Sequence, residues 1–258
     1  MRYFLHLAYR GTSYHGWQKQ LNTNQSIQQI IEDRLQSMTG ENISLMGCGR
    51  TDTGVHAMQY FAHFDFDNDW NYDPIERLNR MLPEDISVFE LIPVEKRAHS
   101  RYDAIERSYE YHIHLEKNPY LSLFSTYVLH SEYDYDLIRS GLKVLLETKD
   151  FRHLCLTPDK FKNTLCRLSV ATLDVSEDGQ RWCFRFTANR FLKSMIRIIV
   201  ARLLALGEGK ITLDEFKDIS KGNQKFKFRP LAYPQGLHLT KIVYPYLEKD
   251  VKASFLLR

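Results

Sequence analysis

The sequence predicts an α+β fold made of two halves of similar style, and three observations lead there. Over residues 1–100 the segments run strand, helix, strand, strand, helix, strand, which is the order of a ferredoxin-like (RRM-like) unit with an antiparallel sheet. From residue 101 to 258 a second set of alternating strands and amphipathic helices follows. Hydrophobic residues make up 43% and charged residues 26%, enough apolar mass for a packed core and too little net charge for a disordered chain. The halves are expected to meet near 95–105, where no Gly- or Ser-rich linker intervenes.

Each element has its own signal. Arg2 to Tyr9 alternates and is aromatic-rich, so it reads as a strand, and Gly11, Ser13 and Gly16 turn the chain after it. Ser26 opens a helix in which Ile27, Ile30, Ile31, Leu35 and Met38 share one face, and Gly40 ends it. Ile43 to Met46 and Met58 to Phe66 read as strands flanking a glycine-rich turn. Asp73-Pro74 starts a helix through Met81, and Ile86 to Pro93 is the next strand. In the second half Ile105 to Leu115 alternates as a long strand, with His112 and His114 expected on a solvent face. Asp134 to Leu146 reads as a helix, and Leu165–Val175 and Arg181–Ala188 as a hairpin around Ser176-Glu177-Asp178-Gly179. Phe191 to Leu206 reads as an apolar helix carrying Lys193, Arg197 and Arg202, Thr212 caps a short helix to Ser220, and Gly236 to Tyr244 closes as a strand.

Composition narrows the function classes. No apolar run reaches the roughly 18 residues of a spanning helix, and the opening MRYFLHLAYR lacks the apolar core of a signal peptide. Cys48, Cys155, Cys166 and Cys183 form no C-x-x-C pair and no Cys/His set with zinc-ligand spacing. The expectation is a cytoplasmic protein with reduced thiols, no membrane partner and no metal. Net charge is only +3, but Arg185 to Arg229 holds eleven Lys or Arg against four acids, a surplus of seven. Such a stretch can neutralise phosphates, or it can be an ordinary solvated basic face.

The segment with chemical content is Cys48-Gly49-Arg50-Thr51-Asp52-Thr53-Gly54-Val55-His56-Ala57. It places a carboxylate on a glycine turn two residues from a guanidinium, which favours the ionised acid. A held carboxylate can serve as nucleophile or base, although R-x-D on such a turn is also a common Asx-turn or surface ion pair. His56 and His63 beside Asp52 and Asp65 invite a metal reading, against which stands the lack of an i, i+4 ligand pair.

GRTDTGVHA resembles the GRTDxGVHA signature of the TruA-type tRNA pseudouridine synthases. Further segments resemble that family in order along nearly the whole chain: Tyr9-Arg10-Gly11 with Tyr14-His15-Gly16-Trp17-Gln18, Ser26-Ile27-Gln28, His99-Ser100-Arg101-Tyr102-Asp103-Ala104, Arg107-Ser108-Tyr109-Glu110-Tyr111, Asp150-Phe151, Asn189-Arg190-Phe191-Leu192 with Met195-Ile196-Arg197, and Gly236-Leu237-His238-Leu239. The resemblance implies an isomerase that needs no cofactor. It detaches uracil from the ribose C1′ and rejoins it through C5, on a nucleotide flipped from its stack.

The resemblance also implies roles. Asp52 would be the catalytic carboxylate, Arg50 would hold the RNA opened by flipping, and Tyr109 would lie by the base and take the C5 proton. Arg197 would pair with the catalytic acid and orient it. Thr51, His56, Arg101, Tyr109, Asn189 and Leu239 would contact substrate. It further implies joined sheets with a cleft between the halves, a homodimer, and the tRNA anticodon stem-loop, uridines 38 to 40, as target. Thr53, Arg190 and Ser194 depart from the family pattern, and Cys155 to Lys162 has no close match. The same chemistry on ribosomal RNA, a non-catalytic RNA-binding or folding factor, and a metal hydrolase using Asp52, His56 and His63 stand as alternatives.

Overall fold

The computed structural model describes residues 1–129, 132–221 and 230–253. The chain divides into two compact units, one of Met1–Ile105 with His238–Arg258 and one of Glu106–Leu237. In chain order the first contributes β1 (Arg2–Tyr9), α1 (Ile27–Thr39), β2 (Met46–Gly47), β3 (His56–Asp65), α2 (Pro74–Met81) and β4 (Ile86–Val94). The second contributes β5 (Glu106–His114), β6 (Thr126–Tyr127), α3 (Tyr135–Glu147), β7 (Leu168–Val175), β8 (Arg181–Ala188), α4 (Met195–Gly207) and α5 (Leu213–Lys221). A last strand, β9 (Leu237–Val243), follows. The described residues are thus mixed α and β, as the α+β reading expects.

In the first unit the strand order is β4-β1-β3-β9, with β2 on the edge of β3. β1 is antiparallel to both β3 and β4, whereas β9 meets β3 in parallel, His56 opposite His238 and Ala57 opposite Leu239. Local chemistry sets the helix ends. The Ser26 hydroxyl accepts from the Gln29 amide at 3.3 Å, and Gly40 ends α1 at φ +78°. Asp73 caps α2, accepting from the amides of Ile75 and Glu76 at 2.8 and 3.1 Å, with Pro74 at the first helical position.

β1 does not show the one-sided burial of an alternating strand: six consecutive residues from Phe4 to Tyr9 are buried. The reason is the segment after β9. Tyr244 packs edge-on against Phe4 and Phe61 at 5.3 and 5.4 Å and donates to the Ser100 carbonyl at 2.6 Å. The Gln59 amide nitrogen donates to the carbonyls of Lys249 and Asp250, and Lys249 and Lys252 both pair with Glu90. Burial raises the Glu90 acid, but these two lysines outweigh it and bring its pKa to about 2.

His63 lies on that covered face, 6% exposed, with Nδ1 2.8 Å from the Ser100 hydroxyl. Burial, reinforced by the charges of His99 and Arg2, lowers its pKa to about 4. The unfolded chain then binds a proton between pH 6.5 and 4 that the folded chain does not, so stability is lost as pH falls through that window. Denaturant unfolding at pH 7 and pH 4.5 should show the wild type losing on the order of 2 kcal/mol more than His63→Gln. Equal losses in both proteins would remove His63 from the account.

In the second unit β8 lies between β5 and β7, both antiparallel to it, and β6 adds in parallel to β5. The β7–β8 turn closes with Gly179 at φ +72° and its amide on the Ser176 carbonyl at 2.8 Å. Asp134 caps α3 through the Leu137 amide at 2.8 Å. Thr212 and Glu215 form a reciprocal capping box at the start of α5, with bonds of 3.2 and 2.7 Å.

Three expectations for this unit are corrected. His112 and His114 are buried, 7% and 2% exposed: His114 Nδ1 meets the Ser125 hydroxyl at 3.0 Å, and His112 Nε2 stands 3.1 Å from a Glu110 carboxylate oxygen. The apolar helix begins at Met195, not Phe191, because Ser194 sits in the left-handed region at φ 55° and blocks helix propagation through the preceding residues. Arg202, which as a cation on an apolar helix would be expected to reach phosphate or solvent, is 8% exposed, and burial lowers its pKa.

Candidate active site

The segment 48–55 leaves β2 and returns into β3, and the structure fixes its backbone from below and from the side. Below it lie Trp17 and Tyr60, stacked at 4.1 Å, with Tyr9 packed against both. The Tyr60 hydroxyl donates to the Gly49 carbonyl at 2.6 Å, and the Tyr9 hydroxyl is 2.9 Å from the Thr51 hydroxyl. Gly47 is required at the approach, since a Cβ there would stand 2.2 Å from the Tyr60 oxygen and 2.4 Å from the Trp17 ring nitrogen.

From the side the loop 11–17 lies directly on this segment. A Cβ on Gly11 would stand 2.0 Å from the Val55 carbonyl oxygen, and one on Gly16 2.3 Å from that of Thr51. The Trp17 amide donates to the Thr51 carbonyl at 3.3 Å and the Gly54 amide to the Tyr14 carbonyl at 3.3 Å. Gly54 itself adopts φ +79°, and the Val55 amide closes the turn on the Asp52 carbonyl at 3.1 Å. Asp52 is therefore carried by a backbone held on every side, while its residue is half-buried rather than enclosed. Such a carboxylate can act as nucleophile or base on a bound substrate without first being ordered.

Arg50 is exposed, and its Nε donates to the Gln18 side-chain oxygen at 3.2 Å. Gln18 donates in turn to Gln28 at 2.7 Å, and Gln28 donates to the buried Glu32 at 2.9 Å and to the Leu45 carbonyl at 3.0 Å. Glu32 also accepts from the Leu45 amide at 2.8 Å. A polar chain inside the first unit thus ties the first turns of α1 to Arg50. Gln18 and Gln28 lie within motif segments, but their mutual contact depends on the loop carrying Gln18 meeting the first turn of α1, and spacing alone does not reveal it.

The other expected site residues are placed as follows. Thr51 is buried under Asp52. His56 is 2% exposed, accepts the Gly11 amide on Nδ1 at 3.1 Å and stacks on His238 at 4.6 Å. The β3–β9 pairing brings Leu239 opposite Ala57, next to His56, where it is 2% exposed. Arg101 is exposed, its guanidinium 5.8 Å from the centre of the exposed Tyr102 ring.

In the second unit Tyr109 is half-buried on β5 and meets the Phe191 ring edge-on at 5.1 Å. Asn189 is close by in sequence register: its side chain accepts from the Arg167 amide at 2.8 Å and its carbonyl from Arg107 at 2.9 Å. Arg197, on the first turn of α4, donates through Nε to the Ala232 carbonyl at 2.8 Å, and the Ala232 amide returns a bond to the Arg197 carbonyl at 3.0 Å. Of the basic stretch, Lys193 is exposed, Arg185 is committed to Glu110 and Asp174, and Lys225, Lys227 and Arg229 lie outside the described residues.

The metal-hydrolase alternative fails on strand geometry. His56 and His63 are the first and eighth residues of β3, about 23 Å apart along an extended strand, and on opposite faces. Among the described residues the ligand atoms that converge belong instead to Glu110, His112 and Cys183.

The sequence profile of a family described as tRNA pseudouridine synthase matches residues 7–103 and 143–245. The chain belongs to the tRNA pseudouridine synthase family. It is 35% identical to the tRNA pseudouridine synthase A of Porphyromonas gingivalis over 250 residues, covering 95% of this chain and 97% of that one. It is 37% identical to the protein of the same name from Bacteroides fragilis over 246 residues, covering 95% and 96%. A relative from a Thermoanaerobacter species, also so named, is 35% identical over 241 residues, covering 92% and 97%. The match to the tRNA pseudouridine synthase profile includes the loop around Asp52, the turn at Asn189, Arg197 and the β9 residues. It leaves out 104–142, where Tyr109 lies. No helix among the described residues is long and apolar enough to cross a membrane.

Proposed function

We propose that this chain converts uridine to pseudouridine in tRNA with Asp52 as the catalytic carboxylate, acting on uridines 38 to 40 of the anticodon stem-loop. The observation that carries the reading is the braced loop: a half-exposed acid on a backbone fixed by Gly11, Gly16, Tyr14 and Tyr60, with an exposed arginine two residues before it. A merely structural aspartate has no need of such bracing, whereas a group that must meet one ribose carbon does.

The reaction breaks the N1–C1′ bond and forms a C5–C1′ bond. N1 ends with a proton that C5 began with, so nothing is gained or lost and no cofactor is called for. Asp52 either adds to C1′ or removes a ribose proton, and both routes require the ionised acid beside the sugar. Arg50, held through Gln18, supports the RNA from which the nucleotide has been flipped. Tyr109 removes the C5 proton, and Arg197 keeps the catalytic acid oriented. Thr51 and His56 shape the loop from beneath, and Arg101 and Asn189 offer polar contacts to the RNA. In this reading the enzyme is a cytoplasmic homodimer that holds one tRNA across both subunits.

Mapping pseudouridine across the RNA of a strain lacking the gene tests both activity and target. The expected result is loss of pseudouridine from positions 38 to 40 of tRNAs, restored by the wild-type gene. Loss confined to ribosomal RNA would transfer the chemistry to that substrate, and an unchanged map would leave a binding protein. The first alternative keeps Asp52 in its role and the second removes it.

A further inference from the structure

We propose that Glu110, His112 and Cys183 form a binding site for one divalent cation of the zinc class on the sheet of the second unit. Glu110 and His112 are two apart on β5 and so share a face, and Cys183 on β8 is the direct antiparallel partner of His112. Asp174 on β7 is in turn the direct partner of Cys183. The register therefore lays Asp174, Cys183 and His112 in one row across three strands, with Glu110 beside the row.

One oxygen, one nitrogen and one sulfur from the three ligands lie within 4.8 Å of one another. Glu110 Oε2 and His112 Nε2 are already 3.1 Å apart. A tetrahedral zinc ion with bonds of about 2.0–2.1 Å holds two such atoms about 3.3 Å apart, so this edge of the polyhedron is nearly formed. Mixed carboxylate, imidazole and thiolate donors suit zinc-class ions rather than magnesium or calcium. Three protein ligands leave a fourth position, which water can take from the half-exposed Glu110 and Cys183 side.

The surroundings match the ion in charge. Arg185 donates to the other Glu110 oxygen at 3.1 Å, leaving Oε2 on the imidazole, and Arg185 is itself paired with Asp174. Glu110, Asp174 and Arg185 together carry one negative charge. Binding a divalent ion expels the Cys183 thiol proton to solvent, and the cluster becomes neutral. His112 is nine-tenths buried, which is unusual for a titratable side chain on the polar row of a sheet. The other three cysteines are on different elements: Cys48 lies in the first unit, and Cys155 and Cys166 in the loops before β7. An ion here would cross-link β5 to β8 next to Tyr109, clamping the strand without entering the reaction. The site is independent of the functional reading above.

The test is a Co²⁺ titration of the full-length protein, purified through chelator, with Co²⁺ as a spectroscopic stand-in. Wild type should bind one Co²⁺ per chain with a thiolate-to-cobalt charge-transfer absorption that Zn²⁺ displaces. Cys183→Ser should lose that absorption, His112→Gln and Glu110→Gln should bind at least about tenfold more weakly, and a Cys48→Ser/Cys155→Ser/Cys166→Ser variant should keep it. Zn²⁺ should also raise the melting temperature of the wild type by more than that of His112→Gln, which guards against a Cys183 variant that folds poorly. Absence of metal uptake by the wild type at micromolar metal, or an absorption that survives Cys183→Ser, would overturn the site.

Discussion

Asp52→Asn is expected to leave a folded protein whose pseudouridine formation is about 10⁴-fold slower or worse, the size of loss seen when the reacting group itself is removed. The substitution keeps the shape of the side chain and removes its charge and nucleophilicity. The loop backbone is held by the Val55 amide on the Asp52 carbonyl, by Tyr60 on Gly49 and by the contact of Tyr9 with Thr51, all of which survive the change. The two quantities are separable by experiment: tritium release from tRNA labelled at uridine C5 reports the chemistry, and the thermal unfolding midpoint reports the fold. A variant that retained activity within tenfold of wild type would show that another group does the chemistry. A variant that lost both activity and its unfolding midpoint would show that the carboxylate is a structural part of the turn.

What the sequence revealed follows the range of the interactions involved. Helix ends were legible because their signals are local: Ser26, Asp73, Asp134 and Thr212 each cap within three residues, and Gly40 stops α1 through its own φ. The acid-bearing turn was legible for the same reason, since Gly54 and Asp52 sit in one short segment. The misread features depend on distant parts of the chain. The alternation of β1 suggests one wet face, but residues after β9 cover it. His112 looks like an outward histidine until Glu110 and the register with Cys183, some seventy positions on, are known. A zinc-spacing rule looks along one segment and cannot find ligands split between paired strands. The start of α4 was missed because a serine in the left-handed region has no strong sequence mark, as glycine has. The parallel meeting of β3 and β9 likewise joins residues about 180 positions apart.

The second large effect is expected at Gly16, and a second glycine isolates its cause. Gly16 and Gly40 have nearly equal backbone conformations, φ +81° and +78°. Alanine at either position incurs the left-handed strain of an L-residue, about 1–2 kcal/mol. They differ in surroundings: a Cβ on Gly40 meets nothing within 4 Å, whereas one on Gly16 would stand 2.3 Å from the Thr51 carbonyl oxygen and 3.1 Å from the Asp52 carbonyl carbon. Backbone atoms cannot rotate away as a flexible side chain can, so relief requires the acid-bearing loop to move by something near an ångström. Gly40→Ala should therefore cost about 1–2 kcal/mol in denaturant unfolding and leave kcat/KM unchanged. Gly16→Ala should cost about 3 kcal/mol or more and lower kcat/KM about 10²-fold in the protein that remains folded, because a misplacement of that size at a reacting group carries such a penalty. Equal stability losses with equal activities would mean that the loop 11–17 merely touches the Asp52 turn. A selective loss at Gly16 would mean that the close approach of these two backbones is what aims the carboxylate.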